Sequence, residues 1–154
     1  MRTRTIYGEQ EKFDIINKSN VCRMAMVDEN GLPYIVCMTF AFDGKYLYLH
    51  SGPKGKKIDI LRKNNRLCVE FSTDYQLYHQ NEEVACSYSI KYRSVLLYGT
   101  VEFIEDVAEK TRMMNMIMQK YTGKSSFTYN APAINNVCIM RILPNLIEGK
   151  AHGY

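Results

Sequence analysis

The stretch VCRMAMVDENGLPYIVCMTFAFDGKYLYLHS, residues 21–51, decides the fold. Two apolar runs flank the turn Asp28-Glu29-Asn30-Gly31, and the pair Asp43-Gly44 separates the second run from a third. Asn-Gly and Asp-Gly pairs supply the positive φ that tight hairpin turns require. In the third run, Leu47 and Leu49 alternate with tyrosine and histidine, as in a strand with one buried face. The pattern predicts three consecutive antiparallel strands, at 21–27, 34–42 and 46–51.

The chain on either side of these strands continues a β-rich pattern with some helix. We predict helices at 9–18, within 52–65 and at 105–121, strands at 66–73, 86–102 and 137–142, and a surface excursion at 74–83. Gly99 marks a possible bulge, and Gly123 is expected to cap the Met-rich third helix, whose apolar stripe indicates core packing. The sequence therefore predicts a single domain over 1–154.

Composition narrows the function classes. The 154 residues are 46% hydrophobic with a net charge of +4, a mild excess that falls short of the basic stripe of a nucleic-acid binder. No apolar run reaches membrane-spanning length and no signal peptide is recognisable, so we expect a cytoplasmic protein without nucleic-acid or membrane partners. The five cysteines lie mostly in apolar stretches without a C-x-x-C pair, which favours buried reduced thiols over disulfides or a metal site.

The clearest chemical signal is a lysine-rich loop that opens a helix. Lys54, Lys56 and Lys57 crowd the amino end of that helix, where the dipole already places about half a positive charge. A bound phosphate would reverse this unfavourable electrostatics, and Ser51 and the Gly52 amide at the end of the preceding strand add donors. The alternative is a solvated basic loop without a ligand.

A second basic group lies on a later strand, in Lys91-Tyr92-Arg93-Ser94-Val95. Alternation puts Lys91 and Arg93 on the same face as Val95. Arg93 could bind a phosphate or carboxylate with its forked donors, or it could pair with a protein carboxylate such as Glu70 or Glu102.

Side chains for unaided catalysis are scarce. The sequence has three histidines and lacks the G-x-S-x-G, G-x-G-x-x-G, Walker and H-E-x-x-H motifs. An enzyme of this composition needs a cofactor that brings its own reactivity, as a flavin does.

Three segments together resemble the pyridoxamine 5′-phosphate oxidase-like flavin-binding split barrels, and within them the nitroimidazole-resistance (Nim) branch. They are CRMAMVD at 22–28 leading through GLPY to VCMTF at 36–40, LHS at 49–51 with GKK at 55–57, and YRSV at 92–95 followed by Tyr98-Gly99. The order and spacing of the segments carry the resemblance, which spans nearly the whole chain.

The resemblance implies a six-stranded antiparallel split β-barrel that binds flavin mononucleotide (FMN) between the subunits of a homodimer. Val36, Met38 and Thr39 would lie along the isoalloxazine edge, and Ser51, Lys56 and Lys57 would hold the phosphate. Arg93 and Ser94 would approach from a neighbouring strand. His50 would lie near the ring, either as a proton donor or as a hydrogen-bonded structural residue. The loop at 130–136 is a candidate for the partner's contribution.

The function implied is reduction of a small planar acceptor, such as a nitroaromatic or a quinone, with a reduced nicotinamide as a possible donor. Two alternatives stay open. One is pyridoxamine or pyridoxine phosphate oxidation, which needs a second cationic cluster. The other is a non-catalytic module that binds a flavin or a haem, and for the haem His50, His79 and His152 are candidate axial ligands. A deazaflavin in place of FMN also stays open.

Overall fold

A computed structural model describes all 154 residues. The chain forms eight strands and four α-helices. In order they are β1 (Thr3–Ile6), α1 (Glu9–Lys18), β2 (Cys22–Val27), β3 (Pro33–Met38), β4 (Phe40–Phe42), β5 (Leu47–Ser51), α2 (Lys56–Lys63), β6 (Arg66–Tyr78), β7 (Ser89–Ile104), α3 (Val107–Thr122), α4 (Ala131–Asn135) and β8 (Cys138–His152). No helix is both long and apolar enough to cross a bilayer.

All eight strands belong to one antiparallel sheet in the order β3-β2-β6-β7-β8-β5-β4, with β1 paired to β8. The two end strands, β3 and β4, follow each other directly in the chain and are separated only by Thr39. The sheet must therefore curl until its two end strands lie near each other without pairing, which makes an open, split barrel. If β3 and β4 are counted as one bent strand and β1 is set aside, six strands remain, as predicted.

The structure adds β1 and α4, and α4 lies within the predicted loop at 130–136. Three further details differ from the sequence prediction. β6 runs to Tyr78, through part of the predicted surface excursion, because it stays paired with β7 beyond an irregularity at Thr73/Gln76. β8 runs to His152, since Pro144 lies at a register shift, where a missing N–H is tolerated. Cys37 and Cys86 are exposed rather than buried, whereas Cys22 and Cys138 are buried and all five thiols are free.

The barrel interior holds a main core of 24 buried residues, with Phe40 and Phe71 packed edge to face at a centroid distance of 4.9 Å. A smaller cluster forms where α3 covers the outside of β4, β5 and β8. There Met113 and Ile117 pack on Tyr48 and Ile139. Each such apolar side chain gains about 1.5–3 kcal/mol on burial. The Met-rich helix is therefore a core element, as predicted.

Tyr121, in the last turn of α3, closes part of the split in the barrel. Its hydroxyl accepts a hydrogen bond from the Phe40 amide at 3.1 Å and donates one to the Asn20 carbonyl at 2.8 Å. Phe40 is on the free edge of β4, and Asn20 immediately precedes the β2 side of the barrel. One hydroxyl thus connects the two sides of the opening.

Tyr121→Phe should destabilise the fold by about 1–2 kcal/mol, because the Phe40 amide loses its partner while the ring is retained. Urea unfolding followed by circular dichroism measures this change. Tyr7→Phe is the matched control, since Tyr7 is 87% exposed and its hydroxyl makes no hydrogen bond within the chain. Equal stability of both variants would show that the Tyr121 hydroxyl does not hold the barrel edges together.

Candidate functional site

The lysine-rich loop has the backbone conformation of an anion-binding turn. Gly55 is the N-cap of α2 with φ 122° and ψ 167°, a region that is essentially restricted to glycine. No side chain caps this helix, so the first amide N–H groups of α2 have no partner within the helix. The amino end of α2 therefore exposes donors and a partial positive charge together.

The two lysines that begin α2 diverge toward the two sides of the barrel split. The Lys56 ammonium lies 4.8 Å from the centre of the Tyr34 ring on β3. Lys57 is half-buried near Cys138, and its charge, with those of Arg62 and Lys110, opposes the rise that burial causes in the pKa of that thiol. Cys138 pairs with Ser51 across β8 and β5. None of Lys54, Lys56 and Lys57 has a carboxylate within ion-pair distance, which leaves their charges free for an external anion.

His50 and Ser51 end β5 beside this loop. The last β4–β5 pair is Phe40↔Leu49, so His50 lies one residue beyond it and pairs with Ile139 of β8 instead. Ser51 is buried, and its hydroxyl donates to the Gly52 carbonyl at 2.8 Å. The Nδ1 atom of His50 is buried and has no hydrogen-bond partner. An orphaned polar atom at this position indicates a ring that is available to a ligand.

Val36 and Met38 pack in or against the main core, and Met38 is buried. They lie on β3, which pairs only with β2, so the outer edge of β3 keeps unpaired backbone groups. That these residues offer backbone atoms to a cofactor stays a prediction. His50 and Ser51 at the end of β5 and Lys56 and Lys57 at the start of α2 are neighbours in the chain, and Lys56 contacts Tyr34 of β3.

Arg93 is engaged elsewhere in the chain. Its guanidinium donates to Asp74 at 2.7 Å and lies 3.9 Å from the centre of the Tyr154 ring. The carboxylate partners suggested by the sequence, Glu70 and Glu102, pair instead with Arg23 and Arg141. Asp74 is the residue that sequence reasoning missed. Asp74 has a positive φ of 60° and lies at the irregularity in β6. No sequence pattern around Asp74 predicts that it pairs with Arg93.

Ser94 points to the opposite face of β7, into a shallow cavity of about 430 Å³ that Tyr92, Ser72 and Lys150 also line. Arg93 pairs with Ala151 and His50 pairs with Ile139, so the two groups contact β8 near its opposite ends. Twelve residues of extended strand separate Ile139 from Ala151, roughly 40 Å along the strand. Within one chain, Arg93 and Ser94 do not join the lysine-rich loop.

Burial lowers the pKa of His50 below its usual value near 6.5. At pH values between the pKa of His50 in the folded chain and its higher pKa in the unfolded chain, the unfolded chain binds more protons than the folded one. Acidification below about pH 7 should therefore lower the free energy of unfolding. His50→Gln should flatten the fall of unfolding free energy between pH 7 and 5, as measured by urea titrations at each pH. An unchanged slope for His50→Gln would contradict the expectation.

No group of three or more His, Cys, Asp or Glu side chains is arranged to hold a metal ion. His152 has both ring nitrogens engaged, with the hydroxyls of Thr3 at 2.8 Å and Ser89 at 3.1 Å, so a haem iron would have to displace one of them.

Residues 8–151 match the family model described as pyridoxamine 5′-phosphate oxidase. The chain belongs to this family. A structure from Bacteroides thetaiotaomicron VPI-5482, a protein proposed to confer resistance to 5-nitroimidazole antibiotics, is 38% identical over 97% of this chain and 87% of that one, with a TM-score of 0.87. The match places the chain in the nitroimidazole-resistance-like branch of the oxidase family.

More distant structures share the fold of this pyridoxamine 5′-phosphate oxidase family member. A FAD-binding protein from Mesorhizobium loti is 24% identical, with a TM-score of 0.71 over 99% of this chain and all of that one. The flavocytochrome Anf3 from Azotobacter vinelandii is 18% identical, with a TM-score of 0.83 over 97% of this chain and 70% of that one. Among curated proteins, no sequence matches this chain significantly.

Proposed function

We propose that this protein is a cytoplasmic FMN-dependent oxidoreductase that reduces small planar acceptors such as nitroaromatics or quinones. The observation that carries the proposal is the set of three lysines without carboxylate partners at an uncapped helix start, next to Ser51 and His50. A phosphate bound there would be held by Lys56, Lys57, the Ser51 hydroxyl and the free amides of α2.

The flavin ring would then extend toward the opening between β3 and β5. The outer edge of β3, which carries Val36 and Met38, would face the polar edge of the ring. Thr39, between β3 and β4, would lie along the same edge. FMN bound there would take two electrons from a reduced nicotinamide and pass them to the acceptor.

His50 would hold the acceptor or a proton close to the flavin. Since burial lowers its pKa, the ring is neutral at pH 7 and presents one N–H donor and one acceptor nitrogen. A neutral, half-buried imidazole could exchange a proton with, or hydrogen-bond to, an acceptor oxygen.

A second copy of the chain completes the site in this proposal. Arg93 and Ser94 lie at the far end of β8 from His50 in their own chain, so they would reach the flavin only from a neighbouring subunit, and Arg93 would have to exchange its Asp74 carboxylate for the cofactor. The outer face of the sheet carries exposed apolar side chains at Ile35, Leu77 and Ile90, as expected of a surface that pairs with another copy. We therefore propose a homodimer with FMN at the subunit interface.

Oxidation of pyridoxamine phosphate is less well supported because it needs a second free cationic cluster. Arg4, Lys18 and Arg93 gather at the other end of the barrel, but each is paired with Glu11 or Asp74. Those charges are already neutralised, and a second phosphate would have to displace the carboxylates.

The visible absorption spectrum of the purified protein, followed by titration of FMN into colourless material, tests the proposal. Flavin bands with saturable micromolar FMN binding would support it. Acid extraction and mass measurement of the released cofactor separate FMN from FAD and from a deazaflavin. A Soret band would favour the haem alternative. Protein that does not bind FMN in the titration would contradict the proposal. Light scattering of the loaded protein tests the dimer.

A further inference from the structure

An open groove beside β4 has no residue in common with the proposed flavin site. It has a volume of about 650 Å³ and lies between α3, the end of α1 and β4. Ala41, Phe42 and Met116 provide an apolar wall, and Asn115, Gln119 and Lys120 provide polar groups. A volume of this size, with both apolar and polar lining residues, is typical of a small-molecule site.

Lys120 carries a positive charge that the protein does not neutralise. Its ammonium donates to the Asn17 carbonyl at 2.6 Å and lies 4.5 Å from the centre of the Phe40 ring. No carboxylate lines the cavity or pairs with Lys120. Burial lowers the pKa of this lysine, as expected for a partly desolvated charge without a counter-ion.

Asn115 is oriented so that it offers donors rather than acceptors. Its Oδ1 accepts hydrogen bonds from the Phe127 amide and the Tyr129 hydroxyl, both at 3.2 Å. Because a backbone amide can only donate, the amide oxygen must face Phe127, and the NH₂ group is left without a partner. Asn115 thus adds two free N–H donors to the positive charge of Lys120.

A second cation, Arg112, is at the rim but is already bound to Glu109 through two hydrogen bonds of 3.3 and 2.9 Å. The uncompensated charge of the cavity therefore belongs to Lys120. A ligand that satisfies this cavity needs a negative group for Lys120 and Asn115 and an apolar body for the wall of Ala41, Phe42 and Met116.

We propose that this cavity binds a small organic anion, of the aromatic carboxylate class. The carboxylate accepts hydrogen bonds from Lys120 and the Asn115 NH₂ group, and the ring packs against Phe42 and Met116. The site does not depend on the flavin, since none of its lining residues belongs to the proposed FMN site.

Isothermal titration with benzoate tests the proposal, and benzamide is the neutral isostere. We expect saturable binding of benzoate and at least tenfold weaker binding of benzamide, because only the carboxylate pairs with Lys120. Lys120→Gln should weaken benzoate binding by tenfold or more, whereas Lys124→Gln, a nearby exposed lysine outside the cavity, should leave it unchanged.

Asn115→Asp provides a variant with little change in shape. The aspartate still accepts from the Phe127 amide and the Tyr129 hydroxyl, but it replaces the free NH₂ group with a negative oxygen. We expect it to abolish benzoate binding while the melting temperature stays near that of the parent protein. Equal affinity for benzoate and benzamide, no saturable benzoate binding, or benzoate affinity unchanged in Asn115→Asp would each overturn the proposal.

Discussion

Gly99→Ala is expected to destabilise the protein by about 2–3 kcal/mol, since an added methyl group would be forced into a packed backbone. A Cβ atom at this position would lie 2.5 Å from the Leu143 carbonyl oxygen and 2.8 Å from Cγ2 of Ile142. The first contact is with main chain, so no rotamer change can relieve it. The contact arises because β8 carries one extra residue, Asn145, between the partners of Tyr98 and Gly99.

Urea unfolding of protein stripped of any ligand measures the effect. Gly52→Ala is the matched control, because a Cβ at Gly52 meets no atom within 4 Å. The control should lie within about 0.5 kcal/mol of the parent protein. If Gly99→Ala were as stable as the control, β7 and β8 could not pack as closely at this irregularity as the structure shows.

Lys57→Ala should weaken FMN binding by about 1–3 kcal/mol, roughly 5- to 150-fold in Kd, through loss of a charge-assisted contact with the phosphate. Lys57 is half-buried at the β5–β8 side of the split, and desolvation strengthens such a contact. Fluorescence quenching of FMN during titration gives the Kd.

Lys63→Ala is the control for Lys57→Ala. It removes the same charge from the opposite end of α2, where Lys63 pairs with Glu29 at 2.8 Å on the surface. FMN affinity should not change in this variant. Unchanged affinity in Lys57→Ala as well would remove the phosphate assignment, while a loss in both variants would point to the charge of the whole helix rather than to one contact.

Local features of the fold were predictable because their signals are local. The turns at Gly31 and Gly44 have the positive φ values, 79° and 88°, that Asn-Gly and Asp-Gly pairs predict. Gly123 ends α3 in the left-handed conformation, and α1 has the predicted bounds of Glu9–Lys18. Each feature depends on the intrinsic preferences of a few neighbouring residues.

The ends of the long strands were not predictable, because they depend on pairing across the sheet. The sequence after Ile142 reads as a tail, since a proline normally ends a strand, yet β7 pairs with β8 as far as His152. The polar stretch after Thr73 likewise remains a strand because β7 lies beside it. A partner strand thus overrides a weak local preference.

The candidate site also has features that the sequence predicts and features that only the tertiary structure shows. The charge pattern at Lys54, Lys56 and Lys57 predicts an anion-binding loop next to Ser51, since cations at a helix amino end are unfavourable without an anion. The structure leaves these lysines without carboxylate partners, and the bound anion stays a prediction. Only the tertiary structure decided that Arg93 binds Asp74 and that Lys120 has no counter-ion. Such pairings join residues that are distant in the chain, so they depend on how the barrel closes rather than on any short stretch of sequence.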